Sequence, residues 1–144
     1  MVSRVIPVDD FDLVIFGATG DLAHRKILPG LFRRFVAGQF PDTARIIGAA
    51  RSEMDDDGFR DQASKAIVEF GKVRKNDPNL ARFLALLGYV SIDAKGEGGW
   101  KELRKRMRDG MVHAFYFSVA PSLFGDLAER LHSHGIADVD SRIV

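Results

Sequence analysis

Residues 13–26 read LVIFGATGDLAHRK. The apolar run from Leu13 to Phe16 stops at two glycines, Gly17 and Gly20. A short continuous apolar run ended by glycine suits a strand buried on both faces. Gly17 permits a tight turn, and Gly20, with no Cβ, lets a phosphate approach the backbone. Ala23 is small where a following helix must lie close to the strand. The unpaired N–H groups of that helix's first turn, with the helix dipole, suit an anion. His24 flanks the turn and offers a backbone contact. Asp21 is expected to cap the helix through its side chain. The spacing is G-x-x-G-x-x-A rather than the commoner G-x-G-x-x-G, so the four residues alone also fit a plain strand-to-helix turn. Their place after a first strand and at the head of a first helix favours a nucleotide cradle.

The rest of the chain alternates in the same way. Ile27, Leu28, Leu31, Phe32 and Phe35 form one helical stripe, closed by Gly38 and Pro41. Pro29 lies inside that stripe, where a proline costs about 3 kcal/mol, so the helix is expected to begin irregularly or kink near Arg25 to Pro29. Residues 44–50 (ARIIGAA) read as a second strand, followed by a helix with Phe59, Ala63, Ala66, Ile67 and Phe70 on one face. Pro78 opens a shorter helix with Leu80, Phe83, Leu84 and Leu87, expected to end at Gly88 before a third strand, YVSID. Trp100, Leu103 and Met107 mark a helix, MVHAFYFSV a fourth strand, and Leu123, Leu127, Ala128 and Leu131 a last helix. SRIV begins a fifth strand, where the sheet is expected to be cut short. Apolar strands separated by helices imply an α/β fold with a doubly wound parallel sheet, Rossmann-like, in strand order 3-2-1-4-5.

In such a sheet, ligands sit at the carboxyl ends of the strands, where the strand order reverses. Arg51 is the first residue beyond the second strand, where a solvated surface arginine is the plain alternative to a ligand-binding one. A guanidinium there suits the 2′-phosphate of NADP, whereas an acid would suit the ribose hydroxyl of NAD. Asp55, Asp56 and Asp57 read as the cap and first turn of the next helix. Asp93 and Ala94, after the third strand, are placed to flank an adenine, although Asp93 equally reads as a turn acid. Ala120 and Pro121, after the fourth, are placed to face a nicotinamide, although Pro121 also suits the first residue of a helix.

With 144 residues the chain suits one domain, a length that buries roughly two-thirds of the surface exposed on unfolding. A net charge of +1 gives no global field for nucleic acid or a membrane surface. No cysteine is present, which excludes disulfides and thiolate zinc sites and is compatible with the cytoplasm. No apolar run reaches the length of a membrane span. Residues 1–11 read as a lead-in and 12–144 as a dinucleotide-binding domain. None of the four histidines suits a general base, and no metal set is found. Lys101, Arg104, Lys105, Arg106 and Arg108 read as a solvated helix face.

The stretches GATGDLAHRKILPGLF, IIGAARSEM and AFYFSVAPSLF together resemble the glucose-6-phosphate dehydrogenase family. The likeness covers almost the whole chain from Asp12. It implies a coenzyme motif at Gly17, Ala18, Thr19, Gly20, Asp21, Leu22 and Ala23, with His24 next, and an NADP-binding arginine at Arg51. It implies an intact homo-oligomeric enzyme that oxidises glucose 6-phosphate to 6-phosphoglucono-1,5-lactone at the head of the oxidative pentose phosphate pathway. The family's E-K-P-F-G stretch, catalytic histidine and substrate domain are absent from residues 1–144, so no catalytic residue is expected here. Phe124 stands where some members have tyrosine. The rival readings are an NADP-sensing module without catalysis and a structural interaction domain.

Overall fold

Five parallel strands in the order β3-β2-β1-β4-β5 form the sheet of the computed structural model. The structure describes residues 10–39, 41–136 and 142–143; most of the lead-in, with Ser141 and Val144, lies outside them. The strands are β1 (Phe11–Phe16), β2 (Arg45–Ala50), β3 (Leu87–Ser91), β4 (Val112–Phe117) and β5 (Arg142–Ile143). The helices are α1 (Leu28–Val36), α2 (Asp56–Gly71), α3 (Pro78–Leu84), α4 (Trp100–Arg106) and α5 (Phe124–Ser133). The strand order reverses between β1 and β4, as the alternation of strands and helices predicts.

The period of two along β1 assigns the layers. Leu13 and Ile15 face α1, α2 and α3 with Phe32, Phe59, Ile67 and Phe83. Val14 and Phe16 face α4 and α5 with Trp100, Leu103, Leu127 and Leu131. Both faces of the sheet are thus covered, which is why the strands read as apolar runs rather than alternating ones.

Pro29 is accommodated as the sequence predicts, by an irregular start. Residues 23–27 form one wide π turn, in which the Leu28 N–H bonds the Ala23 carbonyl, and α1 begins with proline in its first turn. A proline ring strikes the carbonyl four residues earlier in a regular helix, and the wider turn precedes the ring. Asp55 caps α2 by accepting from the Gly58 N–H at 2.7 Å, with Asp56 and Asp57 in the first turn.

Two expectations are corrected. The helix opened by Pro78 ends at Leu84, and Leu87 and Gly88 belong to β3. A Cβ on Gly88 would stand 2.8 Å from the flexible end of the Arg106 guanidinium. The basic segment around 101–108 is not simply a solvated face. Asp12, fully buried in β1, accepts from the Arg108 backbone N–H at 2.6 Å and from its Nε at 2.8 Å. Arg108 also donates to the carbonyls of Thr43 and Phe11, and His113 Nε2 lies 2.8 Å from the Arg108 carbonyl. Burying a carboxylate is costly unless it is paired and hydrogen-bonded in this way. Replacing Asp12 with alanine leaves Arg108 without its counter-charge. The expected loss is on the order of 3 kcal/mol in urea unfolding, changing little with added salt.

Candidate functional site

The carboxyl ends of β1, β2, β3 and β4 surround a cleft of about 280 Å³, at the place where the strand order reverses. Gly17, Thr19 and Gly20 form one wall, Arg51 and Ser52 a second, and Ser118, Val119 and Leu123 a third. A second groove of about 440 Å³ adjoins it and shares Arg51, with Glu53, Ser91 and Asp93 around it.

Gly17 has φ +80°, a region that side chains rarely adopt. A Cβ at that position would also run into the Ser118 carbonyl oxygen. The Gly17 N–H bonds the Ala49 carbonyl at 2.8 Å, and the Ser118 N–H bonds the Phe16 carbonyl at 2.9 Å. The turn is therefore bound to both neighbouring strands. Gly20 is less constrained, because a Cβ there would meet only the Gly17 carbonyl oxygen, at 3.2 Å. Helical structure starts at Asp21, and the His24 N–H reaches back to the Gly20 carbonyl at 3.2 Å. The N–H groups before His24 are the unpaired donors of a helix start.

The sequence-predicted residues separate clearly. Gly17, Thr19, Gly20, Arg51 and Ala94 line the cleft, and Asp93 lines the adjoining groove with Arg51. Ala18 and Ala23 are fully buried beneath the turn, where their size permits close helix–strand contact. Leu22 is exposed, and His24 is half-buried with a buried, unpartnered Nε2. Asp21 does not cap the helix. Its Oδ1 accepts from Arg25 Nε at 2.7 Å, and that hydrogen bond, with the attendant charge attraction, raises the Arg25 pKa. Ala120 and Pro121 do not line the cleft; Ser118 and Val119, just before them, do.

Sequence reasoning also missed Ser52, Ile92, Leu123 and Leu127 as lining residues. Leu123 and Leu127 share a helical stripe with Leu131, and that spacing does not distinguish a core wall from a cleft wall. Tyr89 steadies the Arg51 corner from below, donating its hydroxyl to the Ser52 carbonyl at 2.6 Å, and burial raises its pKa so that the donor proton stays in place.

Three observations fit a nucleotide. The turn leaves no room for a side chain at Gly17. Ser118 Oγ, at the cleft, is buried with no hydrogen-bond partner among the described residues. The Arg51 guanidinium is exposed and makes no ion pair or hydrogen bond among them, unlike Arg60, Arg106 and Arg108. Among the described residues no cluster of histidine and acids could hold a metal, and no helix is long and apolar enough to cross a membrane.

A doubly wound parallel sheet with a glycine turn after its first strand and a cleft at its switch point defines a domain of the dinucleotide-binding class. Residues 14–144 match the family domain described as "Glucose-6-phosphate dehydrogenase, NAD binding domain". The chain belongs to the glucose-6-phosphate dehydrogenase family, and its cofactor class is a nicotinamide dinucleotide. It is 44% identical to a glucose-6-phosphate 1-dehydrogenase of Rhizobium meliloti, covering 100% of this chain and 30% of that protein. The crystal structure of glucose-6-phosphate 1-dehydrogenase from Mycobacterium avium matches with a TM-score of 0.83 at 30% identity, over 94% of this chain and 29% of that one. A structure described as glucose-6-phosphate dehydrogenase in complex with its substrate glucose 6-phosphate matches with a TM-score of 0.80 at 25% identity, over 99% of this chain and 30% of that one. The chain thus spans about 30% of the length of the relatives it matches.

Replacing Gly17 with alanine adds a Cβ in a left-handed conformation against a backbone oxygen. The expected loss is about 2 kcal/mol or more in thermal or urea unfolding, with coenzyme titration abolished in whatever remains folded. Gly20→Ala is expected to fold nearly normally yet bind coenzyme more weakly.

Proposed function

We propose that this chain is the coenzyme-binding part of a glucose-6-phosphate dehydrogenase that uses NADP. The whole protein, on this reading, oxidises glucose 6-phosphate to 6-phosphoglucono-1,5-lactone in the oxidative pentose phosphate pathway, in the cytoplasm and as a homo-oligomer. Family membership and the switch-point cleft support the reading. The preference for NADP is carried by Arg51, whose unpartnered guanidinium stands at the lip of the cleft just beyond β2.

The roles follow from the chemistry of the lining. The backbone N–H groups of Thr19 and Asp21–Ala23 hold the pyrophosphate, and Gly20 leaves it room to approach. Arg51 grips the 2′-phosphate through parallel charge-assisted hydrogen bonds, with Ser52 beside it. Asp93 and Ala94 flank the adenine. Val119, Leu123 and Leu127 supply an apolar wall that excludes water beside the nicotinamide. The bound coenzyme supplies the hydride acceptor.

No residue of this chain is assigned as the base that takes the sugar hydroxyl proton. His113 is tied to the Arg108 carbonyl beside Asp12. His134 faces Glu97 and the Arg130 carbonyl, and its ring stacks on Trp100. His132 lies on the exposed side of α5. In this reading the base comes from the part of the protein beyond these residues.

Calorimetric titration of the chain with NADP and with NAD tests the cofactor. NADP is expected to bind more tightly, and Arg51→Ala to weaken it by about 10- to 100-fold while NAD changes little. Equal losses for both coenzymes would overturn the 2′-phosphate assignment. For the whole protein, NADPH absorbance appearing on addition of glucose 6-phosphate tests the reaction.

A further inference from the structure

β3 is an outer strand of the sheet. Such an edge presents half of its backbone polar groups outward, open to pairing with another strand. Toward β2, the Ile46 N–H bonds the Leu86 carbonyl at 3.0 Å and the Ile92 N–H bonds the Ala50 carbonyl at 2.8 Å. The alternation then turns the groups of Leu87, Tyr89 and Ser91 outward. Side chains of α2 occupy two of them. The Tyr89 N–H donates to Asp56 Oδ1 at 2.8 Å, and Arg60 Nε donates to the Leu87 carbonyl at 2.9 Å.

Asp56 is held in turn from the opposite face of the sheet. Arg106, at the end of α4, donates from Nη1 to Asp56 Oδ1 at 3.0 Å and from Nε to Glu102 at 3.3 Å. Its carbonyl accepts from Arg45 Nη1 at 3.1 Å. The two helices therefore reach round the edge strand and join beside Gly88. A Cβ on Gly88 would stand 2.8 Å from Arg106 Nη1 and 3.6 Å from Asp56 Oδ1, so the missing side chain gives the ion pair its path.

The strand's own residues add no charge to this cover. Residues 87–92 read LGYVSI, with no charge and no proline, a composition prone to strand addition. Natural edges usually carry a lysine, a proline or a bulge for this purpose.

We propose that Asp56, Arg60 and Arg106 form a clasp that closes the β3 edge, and that with the clasp open this edge pairs with β3 of a second copy of the chain. A second copy fits because pairing about a two-fold axis sets the same uncharged strand against itself, with outward N–H facing outward carbonyl. The clasp is ionic and partly solvated, with Arg106 and Asp56 side chains 31% and 36% exposed, so salt weakens it.

Sedimentation velocity of the whole chain tests this. Asp56→Ala with Arg60→Met uncovers both outward groups and keeps the Arg60 stem. It is expected to dimerise at about tenfold lower concentration than the parent. Adding Ser91→Pro, which removes an outward N–H, is expected to abolish the gain. Gly88→Ala, which pushes the flexible end of Arg106 aside, is expected to shift association the same way by less. Three results would overturn the proposal: a folded double variant that sediments as the parent does, association that survives Ser91→Pro, or, should the double variant not fold, a folded Gly88→Ala chain indistinguishable from the parent. Coenzyme titration of the double variant and of Gly88→Ala is read alongside and is expected to be unchanged, since the clasp lies outside the cleft.

Discussion

Everything at the carboxyl end of the sheet depends on how closely the end of β1 approaches that of β4. Gly17 turns away from β1 with a positive φ while its N–H remains bonded to the Ala49 carbonyl of β2, and the Ser118 carbonyl fills the space where a side chain would stand. That one contact sets the width of the cleft, the direction of the helix start and the position of the unpaired Ser118 hydroxyl. Gly20, three residues on, carries no such internal demand. The fold itself therefore requires a glycine at position 17 far more than at position 20.

The arginines illustrate how structure separates equal charges. Arg108 neutralises a carboxylate with no solvent contact, and Arg60 and Arg106 hold backbone and acid at the sheet edge. Each is oriented by partners within the chain. Arg51 has none among the described residues and stands between two grooves. A cation at the lip of a cleft with no partner among the described residues is available for a ligand.

Much of this was legible in the sequence because it rests on local chemistry. The apolar run before Gly17, the helical stripe after it and the cap at Asp55 are consequences of period and residue type, and the sheet order follows from the handedness of crossovers. Pro29 announced an irregularity, and the π turn of residues 23–27 is its form. What was not legible depends on residues distant in sequence. Leu87 and Gly88 look like a helix end until Arg106 is seen to occupy the space beside Gly88. The basic segment looks solvated until Asp12, nearly a hundred residues earlier, is found beneath Arg108. Asp21 has the residue type of a cap, but Arg25 one turn away competes for the same oxygen, and a charged donor outweighs a backbone one. Ser118 and Val119 stand at the cleft in place of Ala120 and Pro121 because the first two residues after β4, not the next two, face inward.

Trp100 is the only tryptophan of the chain, and it is fully buried at the start of α4. Its ring lies 5.8 Å from that of Phe16, the residue immediately before the glycine turn. Its N–H is shared between the carbonyls of Asp93 and Gly96, in the loop that forms one side of the Arg51 groove. The chain thus carries a built-in optical probe. A single indole, free of interference from any other, is wired by one hydrogen-bonding group to the loop beside Arg51 and by one ring contact to the strand that ends at the glycine turn. Its emission reads both sides of the cleft from inside the core, without a label and without touching the ligand.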